Sequence, residues 1–228
     1  MADRFYLPEP LGVGPATLDG PEAHHLATVR RIAVGATITL FNGDGREYAA
    51  EVVGVGKKRV DVQIVRVDDV SRELRSPIHV GAAMPKGDRG DFLIEKLTEL
   101  GATSFTPLIT ERVITKSDGA KIDKLQRAVI EASKQCGRNV LMRVNPAAKF
   151  AEWVRGVAGQ RWLAHPSGKE PFASANGEPV TVAVGPEGGF SDAEVELAVA
   201  AGWAVRSLGA TILRVETAAL AAVVRATG

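Results

Sequence analysis

The stretches of this chain best suited to bind a ligand lie near its C-terminus. Residues 185–191 read GPEGGFS and residues 208–220 read LGATILRVETAAL, and each follows an apolar, β-prone run. Glycines let the backbone bend and let a ligand approach its amides without meeting a Cβ. Open α/β sheets bind small molecules at the carboxyl ends of their strands. We therefore predict a binding site formed by residues 185–190, called the glycine loop, and residues 208–214, called the C-terminal loop.

Each of these loops is predicted to lead into a helix. Ser191 and Glu194 form the pattern of a capping box, which starts a helix that runs to about Ala201. After the C-terminal loop, Thr217 is the expected N-cap of an apolar helix at 217–226. Ordinary strand-to-helix turns would carry the same residues, and that alternative stays open. The glycine loop contains no Lys and no G-x-G-x-x-G or P-loop motif, which argues against a nucleotide phosphate as its ligand.

Charged side chains follow two other predicted strands. Lys86, Asp88 and Arg89 come after one strand, and Glu111 and Arg112 come after the next. Because the carboxyl ends of parallel strands meet at one edge of a sheet, we expect these groups to lie at the opening of the same binding site as the glycine loop. The alternative is that they cap helices or pair with one another.

The N-terminal third is predicted to be a small, mostly antiparallel β domain, compatible with a compact barrel. Residues 42–45 read NGDG between two alternating runs, which is a strong hairpin signal. The expected elements are a strand at 4–7, a helix at 19–32, and strands at 37–41, 47–52 and 60–67. A Pro/Gly-rich link joins the first two of these elements. The polar run at 68–76 is the expected linker to the rest of the chain.

Beyond residue 76 the pattern changes to alternating strands and helices. Such alternation predicts a mostly parallel sheet with helices on both faces. The expected strands lie at 78–84, 104–109, 161–164, 180–184 and 203–208, and the expected helices at 88–100, 121–135 and 150–157. The predicted fold class is therefore α/β, with a second, smaller β domain at the N-terminus.

Composition narrows the class of protein. The chain has 228 residues, a net charge of +1 and one cysteine, so it forms no internal disulfide. It has no apolar stretch of about 20 residues and no signal-peptide core, so the cytoplasm is the expected location. His24 and His25 form a pair without further ligands nearby in the sequence, so no metal site is expected. Residues 86–143 carry 11 basic and 8 acidic groups, and an RNA partner would need such a local excess.

These motifs, taken together, resemble one enzyme family. GPEGGFS followed by LGATILRVETAAL resembles the C-terminal signature of the RsmE family of the SPOUT superfamily. The resemblance extends over nearly the whole chain, through HHLATVRRIAVG at 24–35, MPKGDRGDFLIEKLTELGATSFTPLITERV at 84–113, EASKQCGR at 131–138 and LAHP at 163–166. Spacing and composition alone would not have indicated methyl transfer.

The resemblance implies both an activity and a fold. Members of the family methylate N3 of a uridine in 16S ribosomal RNA, uridine 1498 in bacterial numbering, with S-adenosylmethionine as methyl donor. The implied fold is a PUA-like RNA-binding domain at 1–70 followed by a SPOUT-like domain at 76–228 with a C-terminal trefoil knot. The implied partners are 16S rRNA or the small ribosomal subunit and a second copy of the chain, with no membrane and no metal.

The resemblance also implies which residues form the site. Backbone groups of three loops would hold the methyl donor, and these are Leu163, His165, Gly185, Pro186, Glu187, Gly188, Gly189, Leu208, Gly209, Ile212, Leu213, Arg214, Thr217 and Ala218. From their positions, Arg214 and Arg89 are the candidates to stabilise negative charge on the uracil oxygens during catalysis. The candidates for RNA binding are Arg30, Arg31, Lys57, Lys58, Arg59, Lys86, Arg112 and Arg138. For each of these cations, an exposed charge in solvent is the alternative.

Two other classes of function remain as alternatives at this point. One is a noncatalytic RNA-binding adaptor with a decayed pocket, although the intact GPEGG and LRVETA loops argue against it. The other is an α/β enzyme that uses a different nucleotide cofactor.

Overall fold

The structure is a computed structural model that describes residues 3–112 and 119–227. The chain divides into two compact units, Met1–Glu73 with Ser133–Leu141, and Leu74–Ala132 with Met142–Gly228. The predicted fold class is confirmed, because an N-terminal β sheet is followed in sequence by a parallel sheet with helices. Within the described ranges, no helix combines the length and the apolar character that crossing a membrane requires.

The first unit is built on a five-stranded sheet of described residues, in the order β1-β3-β4-β5-β2. These strands are β1 (Arg4–Tyr6), β2 (Gly14–Asp19), β3 (Thr37–Phe41), β4 (Arg46–Val55) and β5 (Arg59–Asp69). β1 pairs with β3 in parallel, and the other neighbours are antiparallel. The core is formed by the alternate residues of β3, β4 and β5 that face inward, such as Ile38, Tyr48 and Ile64.

The first unit departs from the sequence prediction between residues 14 and 32. The stretch expected to be a link contains β2, which pairs with β5 at the edge of the sheet, where Pro15 is tolerated because an edge strand can spare one N–H group. The single predicted helix is instead α1 (Gly20–His24), continued by a π-helical turn at His25–Val29. Residues 14–19 form a strand because they pair with β5, some 45 positions later in the chain. Local composition does not reveal this pairing.

Residues 133–141 belong to the first unit although they come much later in the sequence. Arg138 is 3% exposed, and its Nη2 lies 2.5 Å from the Glu73 carboxylate. Nearby, Arg72 donates to the carbonyl of Gly137 (2.8 Å), and Asn139 accepts from Arg4 (2.7 Å). This segment is therefore hydrogen-bonded to both ends of the N-terminal stretch.

The second unit contains an eight-stranded, parallel sheet among the described residues. The elements that follow β5 are β6 (Ile78–Ala82), α2 (Asp88–Glu99), β7 (Ser104–Ile109), α3 (Gly119–Cys136), β8 (Arg143–Val144), β9 (Ala148–Lys149), α4 (Phe150–Trp153), β10 (Gln160–Ala164), β11 (Glu170–Pro171), β12 (Val180–Val184), α5 (Asp192–Ala200), β13 (Ala204–Ser207) and α6 (Val215–Thr227). All of them belong to the second unit except the end of α3 from Ser133 onward. The strand order is β11-β13-β10-β12-β6-β7-β8, with β9 paired to β7. The main strands match the prediction, whereas the two-residue strands β8, β9 and β11 were not predicted.

The C-terminal helix packs against elements that come earlier in the sequence. β13 lies beyond β10, and α6 then packs against β12, β6 and α2. The predicted capping box at the start of α5 is confirmed, because the Ser191 and Glu194 side chains each accept the other's backbone N–H. α6 begins at Val215, so the predicted N-cap role of Thr217 is wrong. The trefoil threading implied by the resemblance remains a prediction.

Candidate active site

A cavity of about 290 Å³ opens at the carboxyl ends of the neighbouring strands β10, β12 and β13. It is lined by the loop after β10, the glycine loop after β12, the C-terminal loop after β13, and the first turn of α6. The predicted cofactor-binding residues that line it are His165, Gly185, Pro186, Glu187, Gly188, Gly189, Leu208, Gly209, Ile212, Leu213 and Ala218. Three stretches far apart in sequence therefore meet around one space.

The glycine loop has a shape that other residues would disturb. A Cβ on Gly185 would lie 3.0 Å from the Phe190 ring and 3.1 Å from the Phe190 nitrogen. Gly189 has a φ of +70°, and its N–H donates to the carbonyl of Pro186 at 2.8 Å, which closes a tight turn. Glycine is therefore favoured at 185, where a Cβ would pack tightly against Phe190, and at 189 by backbone conformation.

The Glu194 carboxylate joins Ser191, the residue after the glycine loop, to the loop that follows β7. One carboxylate oxygen accepts the N–H of Ser191, and the other accepts the N–H of Glu111, each at 2.9 Å. The Glu194 residue is 9% exposed, so both bonds are shielded from water. As a result Arg112, which follows Glu111, lies at the cavity.

Two guanidinium groups hold consecutive residues of the glycine loop. Arg112 lines the cavity and donates to the carbonyl of Gly188. Arg89, in the first turn of α2, lies 3.3 Å from the Glu187 carboxylate and 3.8 Å from the Glu216 carboxylate. Arg89 and Arg112 thus both contact the glycine loop, as the sequence predicts for these strand ends, and Arg112, which is also a predicted RNA contact, lines the cavity. Its role here depends on the long-range bond between Glu111 and Glu194, which sequence spacing does not reveal.

Some predicted cofactor residues do not line the cavity. Leu163 is fully buried in the sheet, and Thr217 is exposed on the first turn of α6. Arg214 is also exposed, and its guanidinium has no hydrogen-bond or ion-pair partner in residues 3–112 and 119–227. Its neighbours Leu213 and Val215 do line the cavity, so Arg214 lies at the cavity's edge with a free charge.

The sequence prediction missed several lining residues. Apolar contacts come from Ala164, Pro166, Val184, Phe190 and Val215, and hydroxyl groups from Ser207 and Thr211. Their positions beside the predicted glycines were the available signal, because residues at the end of a buried strand face the same space as the loop that follows.

His165 is held in a tight turn at the cavity wall. Its carbonyl accepts the N–H of Gly168, and its own N–H donates to the carbonyl of Arg206, each at 3.0 Å. The ring nitrogen Nδ1 lies 3.2 Å from the backbone nitrogen of Ser167 and 2.7 Å from its Oγ. His165 therefore lines the cavity while its own backbone N–H is engaged within the protein.

The candidate RNA-binding residues fall into two groups. Those that are exposed are Arg30, Arg31, Lys57, Lys58, Arg59, Lys86 and Arg112. Within this group Arg30 is paired with Asp3 and Arg59 with Asp61, while Lys57 and Lys58 lie at the turn between β4 and β5. Arg138 is different, because it is buried against Glu73 and the structure does not present it to a phosphate.

No cluster of three or more His, Cys, Asp or Glu side chains suited to a metal ion occurs in the described ranges. The charged groups around the cavity are instead guanidinium and carboxylate groups, which can orient a ligand and balance charge on it. They supply no ligand set for a cation.

Comparison with known proteins identifies the class of this fold and cavity. A family model described as an RNA methyltransferase domain matches residues 72–227, and one described as an RNA methyltransferase PUA domain matches residues 18–65. The fold and cavity are therefore those of an RNA methyltransferase.

Individual relatives identify the family. The ribosomal RNA small subunit methyltransferase E of Synechocystis sp. is 33% identical, over 96% of this chain and 75% of that protein. The chain belongs to this methyltransferase E family, RsmE, which confirms the resemblance found in its motifs.

Two solved structures share the fold over nearly their whole length, and both contain S-adenosylmethionine. A putative methyltransferase from Legionella pneumophila with the bound cofactor is 35% identical, with a TM-score of 0.91, over 98% of this chain and 96% of that one. The methyltransferase E of Neisseria gonorrhoeae bound to S-adenosylmethionine is 31% identical, with a TM-score of 0.89, over 98% of this chain and 96% of that one.

Proposed function

We propose that this chain transfers the methyl group of S-adenosylmethionine to N3 of a uridine in 16S ribosomal RNA, at position 1498 in bacterial numbering. The observation that carries the proposal is the glycine-lined cavity at the carboxyl edge of the parallel sheet, with Arg89 and Arg112 bound to its loop. Membership of an RNA methyltransferase family supplies the reaction class.

The cavity residues fit S-adenosylmethionine. At about 290 Å³ the cavity is near the lower end of the range for small-ligand sites. Its walls combine apolar side chains with residues 185–189, of which Glu187 and Gly188 are exposed. We propose that the backbone of the glycine loop and of residues 208–213 holds the donor. The bound donor supplies a methyl group on a positively charged sulfur that is ready for displacement.

The charges around the cavity also suit that donor. Glu187 lines the cavity and is half-exposed, so its carboxylate can balance a ligand's positive charge. The cavity lining contains no Lys among the described residues, and a triphosphate would lack the ammonium group that P-loop sites provide. The lining therefore offers Arg112 and Glu187 as its charged groups and lacks the lysine of a P-loop site for ATP.

The proposed catalytic role of this chain's own residues is to stabilise the uracil anion. Loss of the N3 proton spreads negative charge onto the two neighbouring carbonyl oxygens, and cations placed there lower the cost of that charge. Arg214 is free to approach those oxygens, whereas Arg89 is positioned by Glu187 and Glu216. Because N3 lies on the pairing edge of uracil, the uridine must be unpaired when it is bound.

We further propose how RNA is held. Residues 1–70 would bind the RNA backbone through Lys57, Lys58 and Arg59, with Arg30 and Arg31, while residues 76–228 would carry the cofactor and contribute Lys86 and Arg112. Exposure of all these side chains supports their inclusion, and the burial of Arg138 removes it from the set. Phosphate contacts of this kind fix the position of the RNA without reading its sequence.

We also propose that the protein is a homodimer and that it acts in the cytoplasm, where it would encounter a ribosomal RNA substrate. The exposed apolar side chains Val224 on α6 and Ile212 in the C-terminal loop are candidates for the dimer surface. Sedimentation or gel filtration at micromolar concentration tests the dimer, and a monomer mass would contradict it.

The decisive experiment is to map methylated nucleotides in 16S rRNA from cells with and without this protein. Methylation at N3 blocks the pairing edge, so reverse transcription should stop at one uridine only when the active protein is present. Adding the purified protein and methyl donor to unmodified RNA, free or in small subunits, should restore the stop. A modification on a ribose or on another base would overturn the proposed reaction.

A further inference from the structure

A second cavity, of about 450 Å³, lies beside the cavity described above. Its size is within the range of small-ligand sites. Its described lining residues are Pro166, Gly168, Lys169, Glu170, Pro171, Phe172, Ser207, Leu208, Gly209, Ala210 and Arg225. Pro166 and residues 207–209 line both cavities, so the two spaces share a wall.

The second cavity differs from the first in its charge. Lys169 and Arg225 are exposed, and neither has an ion-pair or hydrogen-bond partner within residues 3–112 and 119–227. The carboxylate of the lining, Glu170, lies 3.4 Å from Arg206 Nη2, a cation outside the lining, and is therefore already balanced. Two positive charges are left at one cavity, and an anion bound there would relieve their mutual repulsion.

Both cations are attached to fixed segments of backbone. A Cβ on Gly168 would lie 2.4 Å from a backbone atom of β13, so the chain just before Lys169 rests directly on that strand. β11 begins at the next residue and pairs with β13 in parallel. Arg225 lies in the last turn of α6, where Ala175 donates its N–H to the Ala226 carbonyl at 2.9 Å. Binding would therefore need to order only the two side chains.

The wall between the two cavities is short and is closed by local hydrogen bonds. Ser207 Oγ accepts the N–H of Gly209 at 3.2 Å and donates to the Gly209 carbonyl at 3.1 Å. Gly209 has a φ of +138°, which residues with a side chain rarely adopt. Because the wall is this short, a strand that brings a base to the first cavity can bring a neighbouring nucleotide to the second.

We infer that the second cavity binds a phosphate group through Lys169 and Arg225, and that this group belongs to the RNA strand that carries the target uridine. Both side chains have charged N–H donors that suit phosphate oxygens, and arginine can bind two of those oxygens at once. The apolar residues Pro171 and Leu208 would lie beside the sugar or base of the same nucleotide. The phosphate site stands on the cavity alone, whereas its assignment to RNA rests on the proposed function.

A double variant with a matched control tests the site. Lys169→Ala with Arg225→Ala removes both charges, whereas Lys149→Ala with Arg155→Ala removes two exposed cations of the same unit that line neither cavity. With a labelled, single-stranded oligouridylate, we expect the dissociation constant to rise about tenfold in the first variant and by less than about twofold in the second. Loss of one phosphate contact should also lower the slope of log affinity against log salt by about 0.7. Equal affinities and slopes in the two double variants would overturn the inference.

Two further ligands identify what the cavity takes. Uridine monophosphate carries one phosphate without a strand, and by calorimetry we expect it to bind at least about tenfold more weakly than the oligouridylate. Equally tight binding of the two, lost together in the cavity variant, would make the ligand a free nucleotide and the assignment to RNA wrong. S-adenosylmethionine should bind that variant within about twofold of normal. A tenfold weaker affinity for it would make the second cavity part of the methyl-donor site and overturn the inference.

The outcomes separate this inference from the proposed function. If the unaltered protein fails to bind S-adenosylmethionine, the proposed function is wrong, and uridine monophosphate still decides whether the second cavity takes a phosphate. If that protein binds both the methyl donor and RNA, and the cavity variant does so equally well, only the second site is wrong. Lys169→Arg keeps the charge and should keep the affinity for RNA. Circular dichroism and melting temperature establish that each variant is folded.

Discussion

Arg89 Nη2 lies 3.3 Å from a carboxylate oxygen of Glu187, and this ion pair joins the first turn of α2 to the glycine loop. The other terminal nitrogen of Arg89 lies 3.8 Å from Glu216, whose carboxylate is buried and has one oxygen without a hydrogen-bond partner in the described residues. A single guanidinium group thus balances one carboxylate at the cavity and another on α6. We therefore expect the loss of Arg89 to lower both the stability of the fold and the rate of methyl transfer, each through a different interaction.

Replacing Arg89 should affect both properties. In Arg89→Ala the buried Glu216 carboxylate loses its nearest counter-charge, and we expect the free energy of unfolding to fall by about 1–2 kcal/mol. Methyl transfer should fall at least tenfold, because the cation proposed to stabilise the uracil anion is absent. Adding Glu216→Gln should restore most of the stability and none of the activity, as judged by urea unfolding and by transfer of a tritiated methyl group. If turnover in Arg89→Ala stays near normal, Arg89 has no catalytic role.

Replacing Arg214 should affect activity alone. Its guanidinium is exposed and has no hydrogen-bond or ion-pair partner among the described residues. The Arg214 carbonyl accepts the N–H of Ala218, a bond that any residue provides. We expect Arg214→Ala to lower methylation at least tenfold with a melting temperature within about 2 °C of normal. Arg155→Ala changes another exposed arginine, which donates locally to the carbonyl of Ala151, and should behave like the unaltered protein. Equal rates in the two variants would remove Arg214 from the catalytic set.

The glycines of the cavity should differ in how well they tolerate alanine. At Gly185 the added methyl meets the Phe190 ring and backbone, so the loop must shift, and we expect the affinity for S-adenosylmethionine to fall at least tenfold. At Gly188 the nearest atom, at 3.3 Å, is on the flexible Arg112 side chain, so Gly188→Ala should cost less than Gly185→Ala. Gly12→Ala, where no atom lies within 4 Å, is the control. Calorimetry that ranks the variants in the reverse order would contradict the packing argument.

The turn between β4 and β5 should contribute to RNA binding through charge. Each phosphate contact of a cation with single-stranded RNA adds about 0.7 to the slope of log affinity against log salt. We expect Lys57→Ala with Lys58→Ala to weaken binding and to reduce that slope by about 1.4. Arg46→Ala with Arg66→Ala removes two exposed cations of the same unit that are paired with aspartates, and it should change the slope less. An unchanged slope in the lysine variant would exclude the turn from the RNA surface.

His79 should make stability sensitive to mild acid. Burial, and then the nearby Arg143 charge, lower the pKa of His79 below its usual 6.5, and its Nδ1 lies 2.8 Å from Ser104 Oγ. The unfolded chain therefore binds a proton more readily than the folded one, so this contribution to stability is complete above about pH 6.5 and declines as the pH falls below it. Melting temperatures between pH 7.5 and about 5.5 should fall less in His79→Gln than in the unaltered protein. Parallel curves would contradict this.

Local sequence predicted the parts of the site that depend on local chemistry. The capping box at Ser191 and Glu194 was correct, because its two hydrogen bonds join residues three positions apart. β2 was missed, because its identity as a strand comes from pairing with β5 rather than from Gly14, Pro15 and Ala16 themselves.

Contacts between distant residues also fix the positions of two arginines. Arg112 lies at the cavity because Glu194, 83 positions later in the chain, holds the backbone of Glu111. Arg138 is buried because Glu73, 65 positions earlier, pairs with it. An exposed cation and a buried, paired one have the same appearance in a sequence, so the burial of Arg138 was not available from spacing.

The membership of residues 133–141 in the first unit limits how this protein can be dissected. A fragment ending at Glu73 would leave Arg72 and Glu73 without Gly137 and Arg138, and Arg4 without Asn139. A chimera with a relative therefore needs three junctions, after residues 73, 132 and 141, so that both pieces are exchanged together. Domain exchange at a single crossover near residue 73 would be expected to yield an N-terminal half that folds poorly.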